Sequence, residues 1–259
     1  MNPYESDRYL AEYLLFHYGD PESILPWSFG PREALGFTRR TAMAGIRHFS
    51  SDGISGRALD LGCAVGGSSF VLAEKFEEVV GMDYSHRFIE AAAILANGGG
   101  IAYDRIDEGG ISVSQVAGPL DLANLGRVIF EQADATDLPT GLGGFDLVHA
   151  ANLLCRLPEP MKLIHRLPKL VRPGGLLVLA TPCSWLEQYT PEANWLGGRV
   201  EKGISTRTVD RLRQLFRDDF EEIEYRDEPF LIREHARKFQ WSVSAVTVWR
   251  RRTDSSAEF

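Results

Sequence analysis

From residue 57 onward, short continuous apolar runs alternate with stretches whose apolar residues recur every three or four positions. The runs at 57–61, 78–82, 127–132, 145–150 and 175–181 read as buried strands. The stretches at 66–76, 85–96 and 158–171 read as helices. Strands alternating with helices predict an α/β fold: a parallel sheet with helices on both faces. After Thr181-Pro182 comes a turn-rich segment holding Trp185, Tyr189 and Trp195, then a helix at 205–217 and strands at 219–226 and 242–250. Upstream, Asn2 is placed as a helix N-cap, Leu10, Leu14 and Leu15 recur at helical spacing, and Gly19 with Pro21 ends the helix. A second helix is expected over 32–49. Two stretches interrupt the pattern. Residues 97–124 are Gly-rich and contain a short hairpin near 111–116; residues 227–240, loaded with charge, read as an insertion between the last two strands. The expected organisation is a helical lid at 1–50, a core at 51–252, and a polar, unstructured tail at 253–259.

Composition narrows the function. The formal net charge of −8 over 259 residues argues against a nucleic-acid backbone as partner. The three cysteines, Cys63, Cys155 and Cys183, lack any CxxC spacing. Neither a disulfide framework nor a metal site is expected, and a reduced, cytoplasmic setting is. No apolar run is long enough to span a membrane, and the polar N-terminus does not read as a signal peptide.

The chemistry concentrates at strand ends. Asp60 closes the first strand, and a turn of small residues follows, Gly62-Cys63-Ala64-Val65-Gly66-Gly67. Such a turn lets backbone approach a ligand, with bare N–H groups at the next helix start. Asp83 ends the second strand, beside Tyr84. Glycine turn and downstream acid together describe a nucleoside site, which NAD, FAD or S-adenosylmethionine could fill. The turn lacks a full GxGxxG, and Asp60 is suited to a cationic amino-acid moiety, which favours S-adenosylmethionine. Asp134-Ala135, after the third strand, can meet an adenine edge. The strand Phe145 to Asn152 and the stretch Leu170-Val171-Arg172-Pro173-Gly174-Gly175 complete the set.

These five pieces, in this order, resemble the class I S-adenosylmethionine-dependent methyltransferases over about residues 55–182. The resemblance implies a Rossmann-like, seven-stranded sheet with helices on both faces, its last two strands an antiparallel edge hairpin, with S-adenosyl-L-methionine as cofactor and S-adenosyl-L-homocysteine as product. It implies that Gly62, Ala64 and Gly66 line the methionine portion with Asp60, that Asp83 holds the ribose, and that Tyr84 covers the adenine. Asp134, Ala135 and Ala150 would contact the cofactor further along, and Arg39 or Arg40 would pair with its carboxylate.

The N-terminal segment is rich in aromatics, with Tyr9, Tyr13 and His17 on one helical face. Asn-Pro-Tyr-Glu at residue 2, Glu-Tyr-Leu-Leu-Phe-His-Tyr-Gly at residue 12, the Cys-Ala-Val-Gly-Gly turn and Arg-Glu-His-Ala-Arg-Lys-Phe-Gln-Trp at residue 233 resemble the 5-thiohistidine N-methyltransferases of ovothiol biosynthesis. That resemblance covers nearly the whole chain and implies the free-standing form, in transient contact with an ovothiol sulfoxide synthase. The implied reaction places a methyl on the ring nitrogen nearer the side chain of 5-thiohistidine, an N-methyltransferase activity. Asn152, His17 and Arg233 are then the expected catalytic residues, and Tyr4, Tyr9, Tyr18 and His235 the expected acceptor contacts. Arg233 in particular is expected to hold the acceptor's thiolate. The residues leave open another small-molecule methyltransferase, a non-catalytic S-adenosylmethionine-binding module, and a dinucleotide oxidoreductase.

Overall fold

The computed structural model describes residues 3–50, 53, 55–121, 123–201 and 203–253. The N-terminal helix α1 (Asp7–Tyr18) starts at Ser6, whose hydroxyl accepts from the Tyr9 N–H, and is closed by Gly19, whose N–H reaches Leu15 O. The expected cap Asn2 lies outside the described residues. A single turn, α2 (Pro21–Ile24), follows. The helix expected over 32–49 is interrupted. A 3-10 turn at Arg32–Ala34 is separated from α3 (Phe37–Ile46) by Gly36, whose φ of +71° no helix accommodates.

The alternating core then runs β1 (Arg57–Leu61), α4 (Gly67–Leu72), β2 (Glu78–Asp83) and α5 (His86–Ala96). A separate antiparallel hairpin follows, β3 (Ile101–Glu108) with β4 (Ile111–Ala117), longer than the hairpin expected near 111–116. Next come β5 (Val128–Gln132), β6 (Phe145–Ala151), α6 (Pro160–Leu170) and β7 (Val171–Thr181). A small hairpin, β8 (Arg199–Glu201) with β9 (Ile204–Thr206), precedes α7 (Thr208–Phe216), β10 (Phe220–His235) and β11 (Lys238–Arg251).

Seven strands form one sheet in the order β10-β11-β7-β6-β1-β2-β5. The β5-β2-β1-β6-β7 pairs are parallel; β11 runs antiparallel to β7, and β10 to β11. The central strands read as unbroken apolar runs because both faces are covered. The segment at 227–240 is no insertion loop. It is the far end of the β10–β11 hairpin, paired through His235 and Lys238. Its charges misled the sequence reading because the strand alternates: Leu231 and Arg233 are buried while Glu234 and Lys238 pair outside. Leu231 packs with Leu15, Ile24, Leu25 and Ala34.

Residues 3–50 share the sheet's core. Leu14, Phe37, Ala42 and Ala44 belong to one buried cluster with Leu147, Val178, Val246 and Val248. Gly45 sits so close to β6 and β7 that a Cβ there would come within 2.3 Å of Leu147. No helix among the described residues is long and apolar enough to cross a membrane.

Candidate functional site

The C-terminal ends of β1, β2 and β6 open on one cavity of about 460 Å³, roofed by the N-terminal segment. Open parallel sheets place ligands at this edge because loops there diverge and backbone N–H groups face outward. Asp60, at the tip of β1, is 1% exposed. Its Oδ1 accepts from His149 Nδ1 at 2.7 Å and its Oδ2 from Ser69 Oγ at 2.6 Å. Asp83 ends β2, where Oδ2 accepts the Ala64 N–H at 3.0 Å and Oδ1 the Ser85 N–H at 2.9 Å. Burial raises the Asp83 pKa to about 6, against the pull of those two N–H donors. Tyr84 beside it is 58% exposed, a ring free to cover a flat ligand.

Backbone strain gathers here. Ala64 and Asn152, both lining the cavity, hold positive φ of 48° and 56° without being glycine. Gly62, at φ +70°, keeps the turn thin where a Cβ would press on Leu153 at 3.1 Å. Asn152 is oriented by Ser244, whose Oγ donates to Oδ1 at 2.7 Å and leaves the amide N–H groups as donors. His17, on α1, accepts the Gly67 N–H at Nδ1, 3.0 Å away. Burial lowers its pKa to about 4, so the ring is neutral at pH 7. Cys63 also lines the cavity, and burial pushes its thiol well above the usual range.

The opposite wall is aromatic with one cation. Tyr4 packs edge-on against Tyr9 and Tyr13, ring centroids 5.4 Å and 5.9 Å apart. Burial raises the Tyr4 pKa to about 12 even with Arg156 nearby. Arg156 lies over the Tyr189 ring at 4.6 Å and donates to the carbonyls of Cys155 and Ser184. Among the described residues it has no carboxylate partner.

Residues 35–219 match the family model described as a methyltransferase domain. The chain belongs to this methyltransferase family. Its curated relatives include phosphoethanolamine N-methyltransferase 1 of Arabidopsis thaliana, 26% identical over 62% of this chain and 28% of the relative. Tocopherol O-methyltransferase of the same plant is 28% identical over 64% of this chain and 43% of its own length. Trans-aconitate 2-methyltransferase of Deinococcus radiodurans is 32% identical over 49% and 38%. The chain thus spans less than half the length of these relatives. Among solved structures, magnesium protoporphyrin IX methyltransferase from Synechocystis, with bound S-adenosylhomocysteine, superposes with a TM-score of 0.56. It is 18% identical, over 95% of this chain and 94% of that one. The fold is that of the S-adenosylmethionine-dependent methyltransferases.

The donor set suits that cofactor. The cavity gathers Asp60, Gly62, Ala64, Asp83, Tyr84, Asp134 and Ala135 from the expected cofactor residues, and Tyr4, His17 and Asn152 from the expected acceptor side. Asp134 Oδ1 accepts from the Thr136 N–H and hydroxyl, which fixes the turn and leaves its other oxygen available.

Other expected residues are elsewhere in the chain. Arg233 is 4% exposed and donates to Ser23 O, Ile106 O and Asp107 Oδ1, tied to the β3–β4 hairpin and away from this cavity. Its expected hold on an acceptor thiolate is corrected on that ground. His235 sits at the hairpin end, its Nδ1 accepting the Arg237 N–H. Arg39 pairs with Glu74 on the surface, and Arg40 is taken by Glu228. Neither lines the cavity, because each guanidinium already has a carboxylate. Tyr18 donates to Val65 O at 2.5 Å and braces the glycine turn from behind. Tyr9 stands one ring back, against Tyr4. Gly66 acts through packing: at φ +90°, a Cβ would meet the Phe130 ring at 2.5 Å. Ala150 is 1% exposed within the core. Sequence reasoning missed His149, Arg156, Gln188 and Tyr189 on the wall. A polar residue inside an apolar strand was the available signal for His149. Position at the C-terminal end of β6 was the signal for Arg156.

The ribose reading of Asp83 carries a pH prediction. Ribose hydroxyls donate to the carboxylate, so the ionised form binds. Affinity for S-adenosylhomocysteine is expected to fall as pH drops through about 6, approaching a tenfold loss one unit below. The apo protein responds with the opposite sign: a carboxyl raised above its unfolded value adds stability that is complete below the unfolded pKa and is lost as pH rises through about 6. Calorimetric titrations across this window check it, and Asp83→Asn should flatten the binding profile. A profile equally steep in that variant would assign the dependence to another group.

Proposed function

We propose that this methyltransferase transfers a methyl group from S-adenosylmethionine to the imidazole nitrogen nearer the side chain of 5-thiohistidine, giving ovothiol A. The observation that carries the reading is Arg156. It is a guanidinium without a carboxylate partner among the described residues, held over Tyr189 in an aromatic-walled cavity. A cation so placed calls for an anion on the ligand. A cavity of about 460 Å³ lies low in the range of ligand pockets, roughly 300–1,000 Å³. With an adenosyl cofactor inside, the room left suits a small acceptor. An acidic thiol on an imidazole supplies the anion, and the flat ring suits walls built from Tyr4, Tyr13 and Tyr189.

The cofactor brings an electrophilic methyl on a sulfonium. This chain's residues bind, align and exclude water. Thiolate sulfur is the softer nucleophile, so nitrogen selectivity requires the sulfur to be held away. Arg156 is the residue placed to do so, in the role expected of Arg233. The Asn152 amide, fixed by Ser244, is a donor for the acceptor ring or its carboxylate. Relatives named as N-, O- and trans-aconitate methyltransferases match this chain. The acceptor is therefore argued from the wall alone.

Mass spectrometry of 5-thiohistidine incubated with S-adenosylmethionine and the full chain is the test. A gain of one methyl, located on ring nitrogen by fragmentation, is expected. Turnover of histidine or another anionic small acceptor in place of 5-thiohistidine would overturn the assignment, as would methylation on sulfur.

A further inference from the structure

The aminoacyl end of S-adenosylmethionine is a zwitterion. It needs an acceptor for its ammonium and a donor for its carboxylate. Two histidines on the cavity wall offer that pair in fixed form. His149 on β6 stands in register with Asp60 on β1, and its Nδ1 lies 2.7 Å from Asp60 Oδ1. An ionised carboxylate only accepts, so Nδ1 carries a proton, and the neutral ring then has its lone pair on Nε2. That Nε2 is buried and has no hydrogen-bond partner among the described residues. Buried polar atoms are nearly always paired, so an orphan on the wall of a cavity marks a place for a ligand donor.

His17 is set the other way. Its Nδ1 accepts the Gly67 N–H, which leaves the proton of the neutral ring on Nε2. The approach is close enough to require glycine: a Cβ on residue 67 would come within 2.5 Å of Nδ1. Asp60 links the two rings, bonding one and acting on the other through its charge. Both side chains line the same cavity beside Gly62 and Ala64.

Resting on the reading of this cavity as the cofactor site, we infer that His149 Nε2 accepts from the cofactor's α-ammonium and that His17 Nε2–H donates to its α-carboxylate. Asp60 is then a positioning residue: it holds the His149 tautomer and does not itself meet the ammonium. His17 moves from the acceptor side to the cofactor side. The role expected of Arg39 passes to a neutral ring, consistent with its engagement by Glu74.

Calorimetry on the full chain separates the parts. The probes are S-adenosylhomocysteine, its analogues lacking the amino or the carboxyl group, and 5′-methylthioadenosine, which lacks the whole aminoacyl chain. His149→Asn keeps an N–H toward Asp60 but withdraws the outer acceptor. It is expected to weaken S-adenosylhomocysteine on the order of tenfold and leave the deaminated analogue unchanged. His17→Phe should weaken S-adenosylhomocysteine and leave the decarboxylated analogue unchanged. Neither should alter 5′-methylthioadenosine. Equal weakening of every probe would overturn the assignment while sparing the cofactor site; a wild-type chain that binds no adenosyl probe would sink that site itself. Nitrogen-15 spectra of the histidine-labelled wild type need no variant. One Nδ1–H and one Nε2–H ring, the former's bare nitrogen shifting on addition of S-adenosylhomocysteine, are expected at the two positions. The same tautomer on both would overturn the inference.

Discussion

Asp60→Ala is expected to cost about 3–5 kcal/mol of folding stability and to weaken S-adenosylhomocysteine on the order of tenfold, as His149→Asn does. The carboxylate is 1% exposed, and each oxygen holds one buried donor, His149 Nδ1–H and Ser69 Oγ–H. Removing it strands both donors where water does not reach. It also releases the His149 ring to carry its proton on either nitrogen. Asp60→Asn should be milder, because one oxygen remains to accept from one of the two. A denaturant titration reads the effect as a lower midpoint at unchanged slope. A loss below about 1 kcal/mol would mean that water or a rotated side chain replaces the lost acceptor.

Arg156→Ala is expected to lower kcat/KM for 5-thiohistidine roughly hundredfold or more, the scale of one buried charge-assisted interaction in the transition state. Methyl should also appear on sulfur where the wild type places it on nitrogen. Arg156→Lys retains the charge but loses the planar fork and the stacking on Tyr189, so it should recover only part of the rate. S-adenosylhomocysteine affinity should change little in either variant. Product ratios by mass spectrometry, beside steady-state kinetics, check all three statements. Unchanged rate and unchanged N-to-S ratio in Arg156→Ala would remove this residue from acceptor recognition.

Local patterns carried the fold a long way. The parallel strands could be read because each is a short apolar run bounded by glycine or acid, and both faces of the sheet demand such runs. The long hairpin could not. Charged residues on a strand look like a loop until the partner strand and the packing of Leu231 and Arg233 are known. At the site, Asp60, Asp83 and Asp134 were legible because strand ends converge at one edge of the sheet. Arginines were not. Arg39, Arg40 and Arg233 look alike in sequence to Arg156, and only the placement of Glu74, Glu228 and Asp107 tells the engaged ones from the arginine that lines the cavity. His149 depended on β1–β6 register, a pairing between residues 89 positions apart.

The burial of Cys63 bears on a thiol-bearing acceptor. Thiol–disulfide exchange proceeds through a thiolate, and burial, helped by the Asp83 and Asp60 charges, holds Cys63 as the protonated thiol. A disulfide of the proposed mercaptoimidazole acceptor therefore meets no attacking thiolate at Cys63. Burial at the strand tips thus keeps Cys63 out of thiol–disulfide exchange.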